Sequence, residues 1–276
     1  MAGVPVASRP ADSRGDAGTA VEVQDLVKGF DGVQAVRGAS FSVPAGIICA
    51  LIGPNGAGKS TAVNLISGAL RPDSGRVRVG GTDVTGWSAD RVARTGLIRT
   101  FQLSREYARL TVLENLMATP VDQAGESLLN VFFRPGKVQA EERANLARAM
   151  EILETFGLAA KRDNLAGELS GGQKRLLELA RAVMAEPRVL LLDEPMAGIN
   201  PALIDQIGDH IARLRDDGVT VLMVEHNLNV VERICQHVVV MAEGKALASG
   251  SMADMRANPE VVRAYLGGAL SESAAR

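Results

Sequence analysis

The chain has 276 residues, is 46% hydrophobic and 22% charged, and carries a formal net charge of −2 at pH 7. That length supports one large domain or two lobes around a real core, and the balance of charge makes no electrostatic case for nucleic acid or an anionic surface. No apolar run approaches the roughly 18 residues needed to span a bilayer; the longest, "VTVLMV" and "VLLL", are strand-sized.

The opening "MAGVPVASRPADSRGDAGTA" has Pro, Gly, Asp and Arg where a secretory signal needs a continuous apolar segment, so residues 1–19 read as a disordered tail. "VEVQDLVKGF", the turn Asp31–Gly32 and "VQAVRGASFSV" read as a β-hairpin or meander. "IICALI" is a strand running into a glycine loop, "TAVNLISGAL" continues at helical spacing, and the turn "RPDSG" precedes the strand "RVRV" and another "GG". From Leu103 to Ala185 the pattern is helical. Its longest piece, "QAEERANLARAMEILETFGL", sets Leu146, Met150, Leu153 and Phe156 on one face. Strands return at "RVLLLDE", "VTVLMVE" and "HVVVMAEGKALASG", with "PALIDQIGDHIARLRDDG" as a helix between the first two. A βαβ core interrupted by a helical lobe predicts a parallel sheet. Cys49 and Cys235, with no CxxC spacing, read as buried reduced thiols of a cytoplasmic protein.

Residues Gly53 to Ser60 match G-x-x-x-x-G-K-[ST] between a predicted strand and a predicted helix. The glycines let the backbone wrap phosphates, and successive NH groups at the helix end attract negative charge. Lys59 reaches the terminal phosphates, and the Ser60 hydroxyl ligates magnesium. "VLLLDE" suits a strand buried on both faces whose acids emerge beside that loop. Asp193 would organise the magnesium shell, and Glu194 would orient and polarise an attacking water. "VTVLMVEH" repeats the design with Glu225 and His226. No NKxD-type guanine reader is present, which argues against a GTPase. Adenine could stack on Phe30, although a core phenylalanine at a strand end fits that position too. A second anion-binding pattern, "LSGGQKRLLELARAV", is a small polar glycine turn entering an amphipathic helix.

"GPNGAGKST", "TFQ", "LSGGQ", "LLLDEP" and "VEH" occur in the order found in ATP-binding cassette (ABC) ATPases, and the resemblance runs from Val21 to about Gly250. It implies an α/β P-loop NTPase core with a parallel sheet (20–102 and 186–250), including an N-terminal antiparallel β subdomain. An inserted α-helical subdomain with the signature motif (103–185) and a C-terminal helical extension (251–276) complete it. By resemblance, ATP and Mg2+ are held by Phe30 and by Gly53, Pro54, Asn55, Gly56, Ala57, Gly58, Lys59, Ser60 and Thr61. Ser60, Gln102 and Asp193 face the metal. Glu194 is the catalytic carboxylate, His226 the switch histidine, and Gln102 the link between the γ-phosphate region and a membrane partner. Ser170, Gly171, Gly172 and Gln173 close over ATP held by a facing subunit.

"RTFQ" from Arg99, "MAGINP" from Met196, the long helical segment and "NPEVVRAYLGG" resemble the high-affinity branched-chain amino acid importer ATPases. That subfamily implies two permease subunits, a second ATPase subunit in a heterodimer and, indirectly, a periplasmic or extracellular solute-binding protein. Nucleic acid is not among the partners, and the location is peripheral, at the cytoplasmic face of the inner membrane. Urea or amide importers and the lipopolysaccharide export ATPase share much of the pattern. A soluble cassette acting on ribosomes or DNA would carry two cassettes or a long coiled coil. Asn200 stands where most cassettes have Asp, as the branched-chain subfamily commonly does, and Phe30 replaces the commoner Tyr. The apolar stretch "SLLNVFFRPG" (Ser127 to Gly136) reads either as a membrane contact or as packing within the helical lobe, and "SREYARLTVLENL" as the groove for a permease helix.

Overall fold

The computed structural model describes residues 18–100, 107–120 and 134–265. The tail (residues 1–17), Gln102 and most of the stretch 127–136 lie outside the described residues. In chain order the elements are β1 (Thr19–Phe30), β2 (Val33–Pro44), β3 (Ile48–Ile52), α1 (Lys59–Ile66), β4 (Ser74–Val79), β5 (Thr82–Asp83), α2 (Ala89–Ala93) and β6 (Leu97–Arg99). They continue with α3 (Val112–Met117), α4 (Pro135–Thr155), α5 (Gly171–Met184), β7 (Val189–Asp193), α6 (Pro201–Asp216), β8 (Thr220–Val224), α7 (Leu228–Ile234), β9 (His237–Ala242), β10 (Lys245–Gly250) and α8 (Met252–Ala257). A further helical stretch covers 259–265. No helix among the described residues is long and apolar enough to cross a membrane.

Packing groups the chain into two units, one of Arg14–Arg99, Arg188–Gly198 and Leu214–Arg276, the other centred on Thr100–Pro187 with Ile199–Arg213. In the first unit β1 and β2 pair antiparallel about Asp31 and Gly32. Both turn residues have positive φ (45° and 85°), the twist that a two-residue hairpin prefers. β4 and β5 extend this sheet to the order β2-β1-β4-β5.

The second sheet of the same unit runs β10-β9-β3-β8-β7-β6 among the described residues. It is parallel except for the antiparallel edge strand β10. Every residue of β3, β7 and β8 is buried, the outcome expected of continuous apolar runs covered on both faces. Cys49 and Leu51, Leu222 and Val224, and Val239 and Met241 point into one core with Val21, Val23 and Leu26 of the antiparallel sheet. Ala62, Val63 and Ile66 of α1 fill the same core. Each fully buried Leu or Ile contributes about 1.5–3 kcal/mol. α1 stops at Ile66, short of the Leu70 that the pattern suggested, because Gly68 turns left-handed at φ 73°. Both cysteines are free thiols. Burial pushes the Cys235 thiol up to about 12 and raises that of Cys49 as well.

In the helical unit α3 begins with a capping box in which Thr111 and Glu114 satisfy each other's amides. Asn115, fully buried, holds the preceding loop through Tyr107 and Leu110. On α4 the face expected to be buried is only partly so. Leu153 and Phe156 are buried but Leu146 is 43% exposed, and burial starts at Ala149. Periodicity identifies a face without saying how far along the axis a partner reaches. Here Arg148 marks the limit, donating to Val183 O at 3.3 Å and pairing with Glu186. His210 of α6 stacks on Phe156 with ring centroids 4.2 Å apart, which draws that part of α6 into the helical unit.

Candidate functional site

The carboxyl ends of β3, β8 and β7 lie side by side, with Leu51 opposite Val224 and Asp193 opposite Val224. In open parallel sheets this is the edge where ligands bind. The loop after β3 contains three glycines at positive φ: Gly53 (150°), Gly56 (76°) and Gly58 (93°). Space reinforces conformation at two of them, since a Cβ would come 2.0 Å from Met241 O at Gly53 and 2.4 Å from Ala35 O at Gly58. Gly58 is also the N-cap of α1 and offers no side-chain cap, so the first helical amides are left to a ligand or to water. Ala57 is buried beneath the loop, whereas Asn55 and Ser60 are exposed and Pro54 and Thr61 half-buried.

Lys59 is 6% exposed and donates to Gly53 O at 2.8 Å and Pro54 O at 2.9 Å. Burial lowers its pKa, while Glu194 and Asp193 pull it back up, so a cation and two acids face one another at the strand ends. Asp193 is 3% exposed. Its Oδ2 accepts from Arg99 Nη2 at 3.1 Å, and its Oδ1 is buried without a hydrogen-bond partner. A carboxylate oxygen left bare in a protein interior is costly unless a cation or water meets it.

Glu194 prolongs the ladder by donating its amide to Val224 O at 3.0 Å, then takes φ 51°, a left-handed conformation unusual for a residue with a Cβ. That turn sets its Oε1 2.9 Å from His226 Nε2. Glu225, 4% exposed, holds both loops in place. Its Oε1 accepts from Met196 N at 3.1 Å, and its Oε2 accepts from His226 N at 3.0 Å and Asn227 N at 3.2 Å. The helical stretch 259–265 brings Tyr265 toward the Gly53 backbone, which favours the ionised phenol, while burial, the larger cause, pushes it up to about 12.

Phe30 ends β1 with 43% of its surface exposed and Lys28 Nζ 5.6 Å from the ring centroid. In the helical unit Ser170 is the N-cap of α5 within a capping box: its Oγ accepts from Gln173 N at 3.3 Å, and Gln173 Oε1 accepts from Ser170 N at 3.1 Å. Both side chains that the sequence assigned to a ligand are therefore turned on each other's backbone. A Cβ at Gly172 would sit 2.5 Å from Leu203 Cδ2, so helix packing explains that glycine. At Gly171 a Cβ would meet nothing within 4 Å, and nothing among the described residues requires glycine there. Asn200 caps α6, its Oδ1 accepting from Leu203 N at 2.9 Å, a task that an Asp would perform equally. Lys59, Asp193, Glu194 and His226 thus share one sheet edge, and Gln102 is outside the described residues. Sequence reasoning left Arg99 and Tyr265 without a role at the site and did not see Glu225 as an anchor. A guanidinium at the end of a strand, in "LIRT", was the one available signal.

Residues 36–197 match the family model described as ABC transporter, and residues 247–270 match the one described as branched-chain amino acid ATP-binding cassette transporter. The high-affinity branched-chain amino acid transport ATP-binding protein BraF of Pseudomonas aeruginosa is 38% identical over 90% of this chain and 97% of its own length. The corresponding LivG protein of Escherichia coli K12 is 35% identical over 90% and 97%. A crystal structure of a nucleotide-free ATP-binding cassette from an ABC transporter superposes with a TM-score of 0.77 at 37% identity, covering 90% of this chain and 99% of the other. A cassette in its ADP conformation gives 0.76 at 37% identity, covering 91% and 99%. These matches establish that the chain belongs to the ABC transporter family as an ATP-binding cassette ATPase, among the branched-chain amino acid transport ATP-binding proteins.

Proposed function

We propose that this chain is the ATP-hydrolysing subunit of an importer for branched-chain or other hydrophobic amino acids, driving a membrane permease by ATP-dependent closure of a cassette dimer. The observation that carries the mechanism is the Glu194–His226 pair, 2.9 Å apart at the strand ends, beside the loop that holds Lys59. The loop from Gly53 to Thr61 binds the phosphates through backbone amides and Lys59, and the exposed face of Phe30 receives adenine. Glu194 accepts the proton of an attacking water, and His226, bonded to that carboxylate, keeps it oriented.

The residues fit a magnesium ion. Asp193 presents a bare buried Oδ1, Ser60 lies exposed in the first turn of α1, and no cluster of three or more His, Cys, Asp or Glu suited to a metal occurs among the described residues. Such a site suits an ion held largely by nucleotide phosphates. Asp193 and Ser60 would hold it, with Gln102 as a third contact, and bound there it would neutralise charge developing on the phosphates.

The open space around Gly171 among the described residues supports a role for Ser170, Gly171, Gly172 and Gln173 against ATP held by another subunit. The chain would then work as a heterodimer with a second ATPase beneath two permease subunits, peripheral to the cytoplasmic face of the membrane. A solute-binding protein would deliver the cargo on the other side. Substitution Glu194→Gln tests the assignment: ATP binding should persist while hydrolysis by the assembled complex falls by about two orders of magnitude or more. Turnover near the parent rate would remove Glu194 from the catalytic position.

A further inference from the structure

Arginine largely withdrawn from water at the end of a strand needs an explanation, because a guanidinium taken out of water is costly unless its donors are met. Arg99 closes β6 with only 13% of its side chain exposed. Its two terminal nitrogens are divided between two elements, while Nε is buried without a partner. Nη1 donates to Asn64 Oδ1 at 2.5 Å and to Ser67 Oγ at 3.1 Å, while Nη2 donates to Asp193 Oδ2 at 3.1 Å. Asn64 lies on α1, the helix that begins at Lys59, and Ser67 is its C-cap. The guanidinium therefore links the helix following the phosphate loop to the acid at the end of β7. It engages one oxygen of Asp193 and leaves the other, Oδ1, buried and bare.

We propose that Arg99 is a positioning residue for the metal ligand Asp193: by pinning Oδ2 against α1 it presents Oδ1 alone, at a fixed angle, to magnesium or its water shell. The proposal rests on the reading that Asp193 faces the metal. The charge-assisted bond to Oδ2 at 3.1 Å draws that oxygen toward α1 and favours Oδ1 as the coordinating atom, and groups that orient a ligand in this manner are commonly worth 10–100-fold in metal affinity.

The test is the metal-dependent gain in ATP affinity, taken as the ratio of the ATP dissociation constants in EDTA and in excess magnesium, measured by calorimetric titration of the full chain. Arg99→Gln should leave the EDTA value within about twofold and cut the ratio about tenfold, whereas a merely structural role would move the EDTA value. In an Asp193→Asn background, which should itself abolish most of the ratio, Arg99→Gln should add nothing. An unchanged ratio in Arg99→Gln, with Asp193→Asn still effective, overturns the role of Arg99 and spares the metal assignment. A ratio unchanged in Asp193→Asn overturns the assignment itself. A larger ratio in Arg99→Gln would show the guanidinium acting as a repelling charge, which also refutes the proposal. Should Arg99→Gln fail to fold, Arg99→Lys decides, since it keeps the charge and loses the fork; a full ratio in that variant refutes positioning.

Discussion

Replacing Glu225 by Gln changes no volume, so its effect isolates what the carboxylate does. Three backbone amides, of Met196, His226 and Asn227, donate to its two oxygens at 3.0–3.2 Å in a nearly dry environment. Bonds to a charged group contribute about 1.5–3 kcal/mol each. A Gln has an acceptor at one end only. In its better orientation it keeps His226 and Asn227, with the weaker neutral bonds, and turns an NH2 group against the Met196 amide. An unpaired buried amide costs about 1–3 kcal/mol, and the relief of no longer burying a charge offsets part of the loss. The net expectation is a destabilisation of about 2–3 kcal/mol, which at 2–4 °C per kcal/mol for a domain of this size lowers the thermal midpoint by roughly 4–12 °C. The functional consequence is larger than the structural one. The loop of Met196 follows Glu194 and the other loop carries His226, so slackening both spoils the 2.9 Å pairing between them. ATP turnover by the assembled transporter should fall at least about tenfold, while ATP affinity of the isolated chain, set by the loop from Gly53, stays unchanged. A melting curve, an ATP titration and phosphate release suffice. A variant that melts with the parent and turns over at its rate would refute the anchoring role of Glu225.

Ser170→Arg should remove the cap of α5, costing about 0.5–2 kcal/mol. In a hydrolysis-dead complex it should abolish photo-crosslinking of a nucleotide analogue to the partner ATPase while this chain keeps its label; loss from this chain instead would place the motif in cis. Tyr265→Phe removes the hydroxyl near the Gly53 backbone and should weaken ATP binding, by at most about tenfold; full affinity in that variant would exclude the tyrosine from loop positioning. His210, buried against Phe156, has its pKa lowered chiefly by burial and secondarily by Arg213, with Asp209 opposing. It stays neutral in the fold where the unfolded chain already takes up a proton, so stability should decline as pH drops below the ordinary value of about 6.5. His237, also lowered by burial, adds to that slope. Denaturant midpoints measured from pH 7.5 to 5 should fall less steeply in His210→Gln; an identical slope would rule out this coupling.

Much of this molecule was legible because local chemistry sufficed. "ICALI", "VLLLD" and "TVLMV" are buried at every position, and a sheet covered on both faces is what accommodates four or five consecutive apolar side chains in a strand. Gly53 and Gly58 sit where any Cβ would strike a carbonyl, so the glycine loop is written into the residues that form it. The capping pair Ser170 and Gln173 lies within one turn of chain, and its spacing signals a helix start on its own. Other features were settled only when distant segments met. Leu146 has the period of a core residue yet is exposed, because burial depends on where neighbouring helices end. Arg99 is 94 positions from Asp193, Glu225 is 29 from Met196, and Tyr265 reaches Gly53 from the far end of the described chain. Periodicity and capping act over a few residues and can be read along the chain. The pairing of buried polar groups is instead decided by which strands lie side by side, so the clamp on Asp193 and the anchor beneath Glu194 and His226 belong to the tertiary structure alone.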